Sequence, residues 1–254
     1  MSIVATTAFD RLNARFDRWI RPPKTDRKLC LNPFSAINEV SNIPIEDLDR
    51  YRLDLKLSNL FEQIDVSLRK NLPVERYAEV KEWRNFGEWI NILVSLYCLV
   101  RATKPEIIVE TGIGEIGMTS TFLLRGLEDN NGGELYSIDP DKFYPIYGYH
   151  VGRGIPDYLK HRQTGVIGLS QDKLEPLLVE KGPIDLFLHD GDHKYRTKFY
   201  EYEVSYAFLN KSGFIISDDS WDSSFDIFAS KYKLNNCSVK YGKNDFFSFA
   251  RKGN

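Results

Sequence analysis

The chain has 254 residues, a net charge of −2, and a composition of 42% hydrophobic and 28% charged residues, which suits one sizeable α/β domain with an added helical segment. With a pI near 6.1 it lacks the general basic field that would hold a phosphate backbone, so a nucleic acid is not expected as the obligatory partner. Cys30, Cys98 and Cys237 are odd in number, widely spaced and free of any CxxC or metal-ligand spacing, and read most simply as reduced thiols in a cytoplasmic protein.

The first residues, MSIVATTAFDRLNARFDRW, have no basic run followed by an apolar one, so no secretory signal is expected. Residues Arg21–Asn42, with paired prolines and scattered Asn and Ser, read as loop. Pro44–Leu72 opens on an acidic turn (Glu46, Asp47, Asp49) and continues with Leu53, Leu57, Leu60, Phe61, Ile64 and Leu68 at helical spacing. A second helix is expected from Val74 to Thr103. Its apolar stretch Ile90–Val100 contains Asn91, Ser95 and Tyr97 and is too short to cross a bilayer, which points to a buried helix and no membrane partner.

Near Lys104 and Pro105 the pattern changes. Short apolar runs at Glu106–Thr111, Glu134–Asp139, Gly165–Leu169, Ile184–Asp190 and Gly213–Asp218 read as strands. They alternate with helical stretches at Thr119–Glu128, Gln171–Glu180 and Lys194–Leu209, the pattern of a parallel, doubly wound sheet with helices on both faces. Ser238–Gly242 and Phe246–Arg251 flank a short turn and add an antiparallel hairpin. The expectation is an α/β, Rossmann-like sheet of seven strands. Residues 1–80 form a helical extension, serving as substrate cap or oligomer contact, and residues 81–254 the α/β domain.

In such a sheet ligands bind beyond the carboxyl ends of the strands, where strand order reverses. After the first strand stands Glu110-Thr-Gly112-Ile-Gly114-Glu-Ile-Gly117, whose glycines permit a tight turn and close approach to a ligand at a helix start. After the second stands Asp139, a carboxylate able to accept from both ribose hydroxyls. A nucleoside or nucleotide ligand follows. GxGxxG alone also fits a nicotinamide-dependent oxidoreductase. Against that, Glu110 would repel a pyrophosphate while tolerating a cationic methionine moiety, and acidic residues close the fourth and fifth strands.

His189-Asp190-Gly191-Asp192-His193 follows the fourth strand, and Asp218-Asp219 ends the fifth. Neighbouring strand ends lie about 5 Å apart, so Asp190 should converge with Asp218 and Asp219. Carboxylates gathered in one pocket repel unless protonated or joined by a cation, and an all-oxygen set suits Mg²⁺ or Ca²⁺. The plain alternatives are that the aspartates cap the following turn and that His193 is held by Asp190 or Asp219.

The order E-T-G-x-G, S-I-D, I-D-L-F-L-H-D-G-D-H and I-S-D-D resembles the class I S-adenosylmethionine-dependent methyltransferases, closest to the branch of macrocin-type sugar O-methyltransferases and cephalosporin-hydroxylase-like proteins. The similarity runs from about Ile90 to the C-terminus. It implies that Glu110, Gly112, Gly114, Gly117, Asp139, Ser170 and Asp190 contact S-adenosylmethionine. It also implies that Asp190, Asp218 and Asp219 hold Mg²⁺, and that His193, with Asp190 beside it, is the base. Relatives often carry the next glycine two residues after Gly114, where this chain has Ile116, so Gly117 departs from the pattern.

The expected reaction is methylation of a hydroxyl on a small molecule such as a sugar or natural product. The acceptor would be walled by the N-terminal helices, by Tyr144, Tyr147 and Tyr149, or by Trp221. The Leu53–Leu68 stripe could instead join two copies of the chain. A protein that keeps this fold without the chemistry is the remaining alternative.

Overall fold

A computed structural model describes residues 27–85, 87–140, 151–243 and 245–253. The expected helix over 44–72 is two helices, α2 (Ile45–Leu57) and α3 (Leu60–Asn71). Ser58 breaks it: its hydroxyl donates to the Leu55 carbonyl and accepts from the Leu60 amide, so the side chain takes over contacts the helix would have made. The expected helix over 74–103 is also divided, into α4 (Val74–Val80), a 3₁₀ turn (Lys81–Asn85) and α5 (Glu88–Thr103). Gly87, at φ +52°, is the cap at which α5 restarts.

The expected loop over 21–42 contains structure in its described part. Leu29–Cys30 forms β1 and Pro33–Ser41 forms α1. Asn32 and Ser35 make a reciprocal capping box and Pro33 begins the helix, while Phe34, Ile37 and Val40 supply its buried face. Asn32 and Pro33, within the stretch read as loop, are the start signal of this helix, while the paired Pro22 and Pro23 lie outside the described residues.

The sheet comprises β1, β2 (Ile107–Thr111), β3 (Glu134–Asp139), β4 (Gln163–Ile167), β5 (Ile184–His189), β6 (Leu209–Ser217), β7 (Asn235–Lys240) and β8 (Phe246–Arg251). Their order is β1-β7-β8-β6-β5-β2-β3-β4, eight strands rather than seven because β1 adds in parallel to β7. Strands β2 to β6 are mutually parallel, and β8 lies antiparallel between β6 and β7, the expected C-terminal hairpin. A disulfide joins Cys30 to Cys237, overturning the reading of three reduced thiols; Cys98 is free and buried. The two half-cystines are 207 residues apart, and only the β1–β7 pairing makes them neighbours.

Alternation along the strands sends Ile108, Leu186, Leu188, Ile216 and Phe249 into a core shared with α1 to α5 and α6 (Met118–Asp129). Val109, Ile138, Phe187 and Ile215 face the other way, toward α7 (Ser170–Lys181), α8 (Tyr195–Phe208) and α9 (Ser224–Lys231). No helix among the described residues is long and apolar enough to cross a membrane.

Strand β2 is the switch point: β3 and β4 lie on one side of it, β5 and β6 on the other. Register pairs Thr111 with Ile138 and with His189, and His189 with Ser217. The residues that follow (Gly112, Asp139, Asp190 and Asp218) therefore emerge together along one edge.

Candidate active site

The turn from β2 into α6 is shaped by two glycines of different kind. Gly112 has φ +87°, and a Cβ there would stand 1.9 Å from the Asp190 carbonyl oxygen, so the turn passes directly against the end of β5. Gly114 has φ +67° with no atom within 4 Å of the corresponding position, so it borders open space. Asp139 reaches across from β3, its Oδ2 accepting from the amides of Ile113 (2.9 Å) and Gly114 (3.2 Å). Gly117 caps α6 at φ +73°, and a Cβ there would stand 2.9 Å from Gly152 and from Ile155, which accounts for the glycine at this displaced position by packing.

Glu110 is wholly buried on the α6 side of β2. Its Oε1 accepts from Ser120 Oγ (2.5 Å) and Ser137 Oγ (2.6 Å), and its Oε2 has no hydrogen-bond partner. Burial pushes its carboxyl up to about 7, against the lowering effect of the two serines. Ser170 opens α7, two residues beyond Gly168, whose amide donates to the Asp139 carbonyl (3.1 Å).

The acids at the ends of β5 and β6 converge. Asp190, His193 and Asp218 each offer an atom, all within 4.8 Å of one another. Asp190 lies beside Asp218 and accepts from Thr119 Oγ1 (2.9 Å). Burial and the neighbouring Asp218 push Asp190 well above the usual carboxylate range; burial and Asp219 push Asp218 up to about 6. Tyr241, from the hairpin, places its single hydroxyl proton between Asp218 Oδ1 (2.8 Å) and Asp219 Oδ1 (2.7 Å). This is a cluster with more acceptors than donors, which a proton or a cation must reconcile.

Asp219 takes a different position from the one its pairing with Asp218 suggested: its Oδ2 faces His193 Nε2 at 3.4 Å. His193 Nδ1 is buried without a hydrogen-bond partner, and burial, with His189 behind it, lowers its pKa. His189 points to the opposite side of the strand from Asp190, as period-two alternation requires. There its Nδ1 meets Glu201 Oε2 (2.6 Å), which also accepts from Thr111 Oγ1 (2.6 Å).

Beneath the acid loop Lys198 is wholly buried. Its Nζ pairs with Asp222 Oδ2 (2.8 Å), donates to the Asp219 carbonyl (3.0 Å) and lies 5.1 Å from the centre of the exposed Trp221 ring. Arg27 closes the other side, pairing with Asp226 (2.8 Å) and donating to the Asp222 carbonyl (2.5 Å). Sequence reasoning missed Tyr241, Glu201, Lys198 and Arg27. Arg27 lies 195 residues from Asp222, and no local signal joins the two. Lys198 and Glu201 had one, polar residues at helical spacing on a face that otherwise packs inward. Tyr144, Tyr147 and Tyr149, expected to wall the acceptor, lie outside the described residues.

Residues 109–220 match the family model of a methyltransferase domain. No curated protein matches the chain. Among solved structures, an O-methyltransferase from Bacillus cereus in complex with S-adenosylhomocysteine aligns over 86% of this chain and 96% of its own, at 17% identity and a TM-score of 0.52. TomG, an O-methyltransferase from Streptomyces achromogenes involved in tomaymycin synthesis and solved with S-adenosylmethionine, covers 77% and 91% at 14% identity and a TM-score of 0.52. The Podospora anserina methyltransferase PaMTH1, bound to S-adenosylhomocysteine, covers 77% and 89% at 13% identity and a TM-score of 0.51. At these identities the likeness establishes the fold alone, an α/β fold that this chain shares with these methyltransferase structures.

Proposed function

With a methyltransferase domain over residues 109–220 as the premise, we propose that this protein binds S-adenosylmethionine and transfers its methyl group to a hydroxyl of a small molecule. The observation that carries this reading is the turn at Gly112–Gly117. Asp139 pins its amides at the switch point while Gly114 faces open space. A loop fixed by a buried acid and left open above is prepared for a ligand before the ligand arrives. Gly112, Gly114, Asp139 and Ser170 border the nucleoside space in this reading, and Glu110 and Asp190 lie toward the methionine end.

Methyl transfer is a displacement at the sulfonium methyl, and a neutral hydroxyl attacks it poorly. The chain must orient the acceptor and remove its proton. Asp219 beside Nε2 of His193 favours a proton on that nitrogen, which leaves the Nδ1 lone pair to accept the acceptor's proton. Burial lowers the His193 pKa and so keeps this base neutral near pH 7.

The acid cluster fits a divalent cation. Asp190 and Asp218 present oxygens within 4.8 Å of each other, and their carboxyls are raised by burial and by neighbouring carboxylates (Asp218 beside Asp190, Asp219 beside Asp218), a cost that a cation would relieve. Asp190 and Asp218 would hold Mg²⁺, with Asp219 adjoining. When bound, the ion would lower the pKa of an acceptor hydroxyl. The extension over 1–80, whose residues 1–26 lie outside the described residues, would serve through its helices α1 to α4 as cap of the acceptor space.

Calorimetric titration of S-adenosylmethionine, with Mg²⁺ and with EDTA, into the protein and its Asp139→Ala variant tests the reading. Micromolar binding lost in the variant is expected. No binding of S-adenosylmethionine under any condition would refute it.

A further inference from the structure

The glycine turn is held by Asp139 and also, from the far side, by residues outside the matched domain. Glu115, in the middle of the turn, is buried, and its carboxylate receives Arg76 of α4: Nε at 2.9 Å and Nη2 at 2.6 Å, both to Oε2. A second contact lies beside it. Asn71, at the end of α3, donates its side-chain amide to the Arg153 carbonyl (3.0 Å). The segment it grips is laced onto the turn by three successive amides: Gly152 to the Gly114 carbonyl (2.9 Å), Arg153 to that of Glu115 (2.8 Å), and Gly154 to that of Ile116 (2.8 Å). A Cβ on Gly154 would stand 2.9 Å from the Ile116 carbonyl oxygen, so this lacing is close.

From this geometry we infer that Arg76 is a positioning residue for the cofactor turn: the α3–α4 corner, through Arg76 and Asn71, holds the turn in the form that receives S-adenosylmethionine. The inference rests on the cofactor reading above and adds a function for the helical extension. Glu115 is immediately followed in the turn by Ile116 and preceded by Gly114, whose amide Asp139 holds. Without the guanidinium, Glu115 would be left as a buried carboxylate lacking its principal donor. The turn has glycines on both sides of it and can swing to bring that carboxylate to water. Such a swing draws the Ile113 and Gly114 amides away from Asp139, so part of the binding energy is spent restoring the turn. Arg76 also pairs with Glu79 on its own helix, a second carboxylate that holds the guanidinium in place.

The test compares the full chain with Arg76→Ala, Arg76→Lys, the near-isosteric Glu115→Gln, and the exchanged pair Arg76→Glu with Glu115→Arg. S-adenosylmethionine affinity is read by calorimetry, folding by melting temperature without ligand, and turn mobility by hydrogen exchange at the 113–117 amides. We expect Arg76→Ala to weaken binding about tenfold, or about 1.4 kcal/mol, with faster exchange confined to the turn. Arg76→Lys should recover part of the loss and the exchanged pair most of it. Glu115→Gln, which keeps one oxygen to accept from the guanidinium and leaves no buried charge, should weaken binding less than Arg76→Ala. Unchanged affinity and exchange in Arg76→Ala, in a parent that binds S-adenosylmethionine, would overturn the inference alone. So would a lower melting temperature with affinity intact. A parent that does not bind would overturn the cofactor reading itself.

Discussion

Gly112 and Gly114 have the same backbone requirement and different surroundings, and replacing each by alanine separates folding from ligand binding. Both have positive φ, so each alanine meets a strain of about 1–2 kcal/mol. At Gly114 nothing else opposes the methyl group. At Gly112 the methyl would stand 1.9 Å from the Asp190 carbonyl oxygen and 2.5 Å from its carbon, backbone atoms of a residue whose amide is tied to the Thr111 carbonyl at the end of β2. Relief requires β2 and β5 to part at the switch point, an overpacking cost of about 1–3 kcal/mol beyond the strain. At about 2–4 °C per kcal/mol for a chain of this size, Gly112→Ala should melt roughly 2–12 °C below Gly114→Ala. Calorimetric melting of the two variants beside the parent reads this directly. Titration of the same samples with S-adenosylmethionine should show Gly114→Ala folded and at least about tenfold weaker in binding, because its methyl occupies space left for the ligand. If Gly112→Ala melts no lower than Gly114→Ala, the close approach of the two strand ends is not as described. If Gly114→Ala binds like the parent, the turn does not face the cofactor.

Glu110 gives a pH dependence of defined sign. Its folded-state pKa lies near 7, above the 4.5 of an ordinary glutamate, so the folded protein holds the proton more tightly between those values. Stability of the ligand-free protein should fall as pH rises through that window, by up to about 3 kcal/mol from this group, and Glu110→Gln should remove that slope in melting curves from pH 4.5 to 8. Lys198→Met should lower unfolding stability in urea by about 3–5 kcal/mol, since it leaves Asp222 buried without its cation; a loss below about 1 kcal/mol would contradict the burial of the pair. Non-reducing peptide mapping should recover Cys30 linked to Cys237, and Cys30→Ser should cost at most about 5 kcal/mol by the chain-entropy estimate for so long a loop. Recovery of both as free thiols would remove the link.

The α/β alternation, the hairpin and the edge on which the site lies were legible from the sequence, because each depends on short-range patterning. Apolar runs such as IIVET and IDLFLH are buried on both faces only in a parallel sheet, and ligand-bearing residues then follow the strand ends. Gly112, Gly114, Asp139, Asp190 and Asp218 come together as the register of β2, β3, β5 and β6 requires. The helix limits were less legible, since Ser58 and Gly87 act through single side-chain and backbone conformations that periodicity does not encode.

Other features belonged to the tertiary structure alone. The eighth strand and the Cys30–Cys237 link arise from a contact across 207 residues. Asp219 turns to His193 because Tyr241, carried in from the hairpin, occupies its other oxygen. Arg76 meets Glu115 because α4 packs beside the glycine turn. Local propensity and periodicity act over a few residues and so fix elements and their faces. Which buried charges become partners depends on how distant elements pack, and that is decided only when the whole chain excludes water.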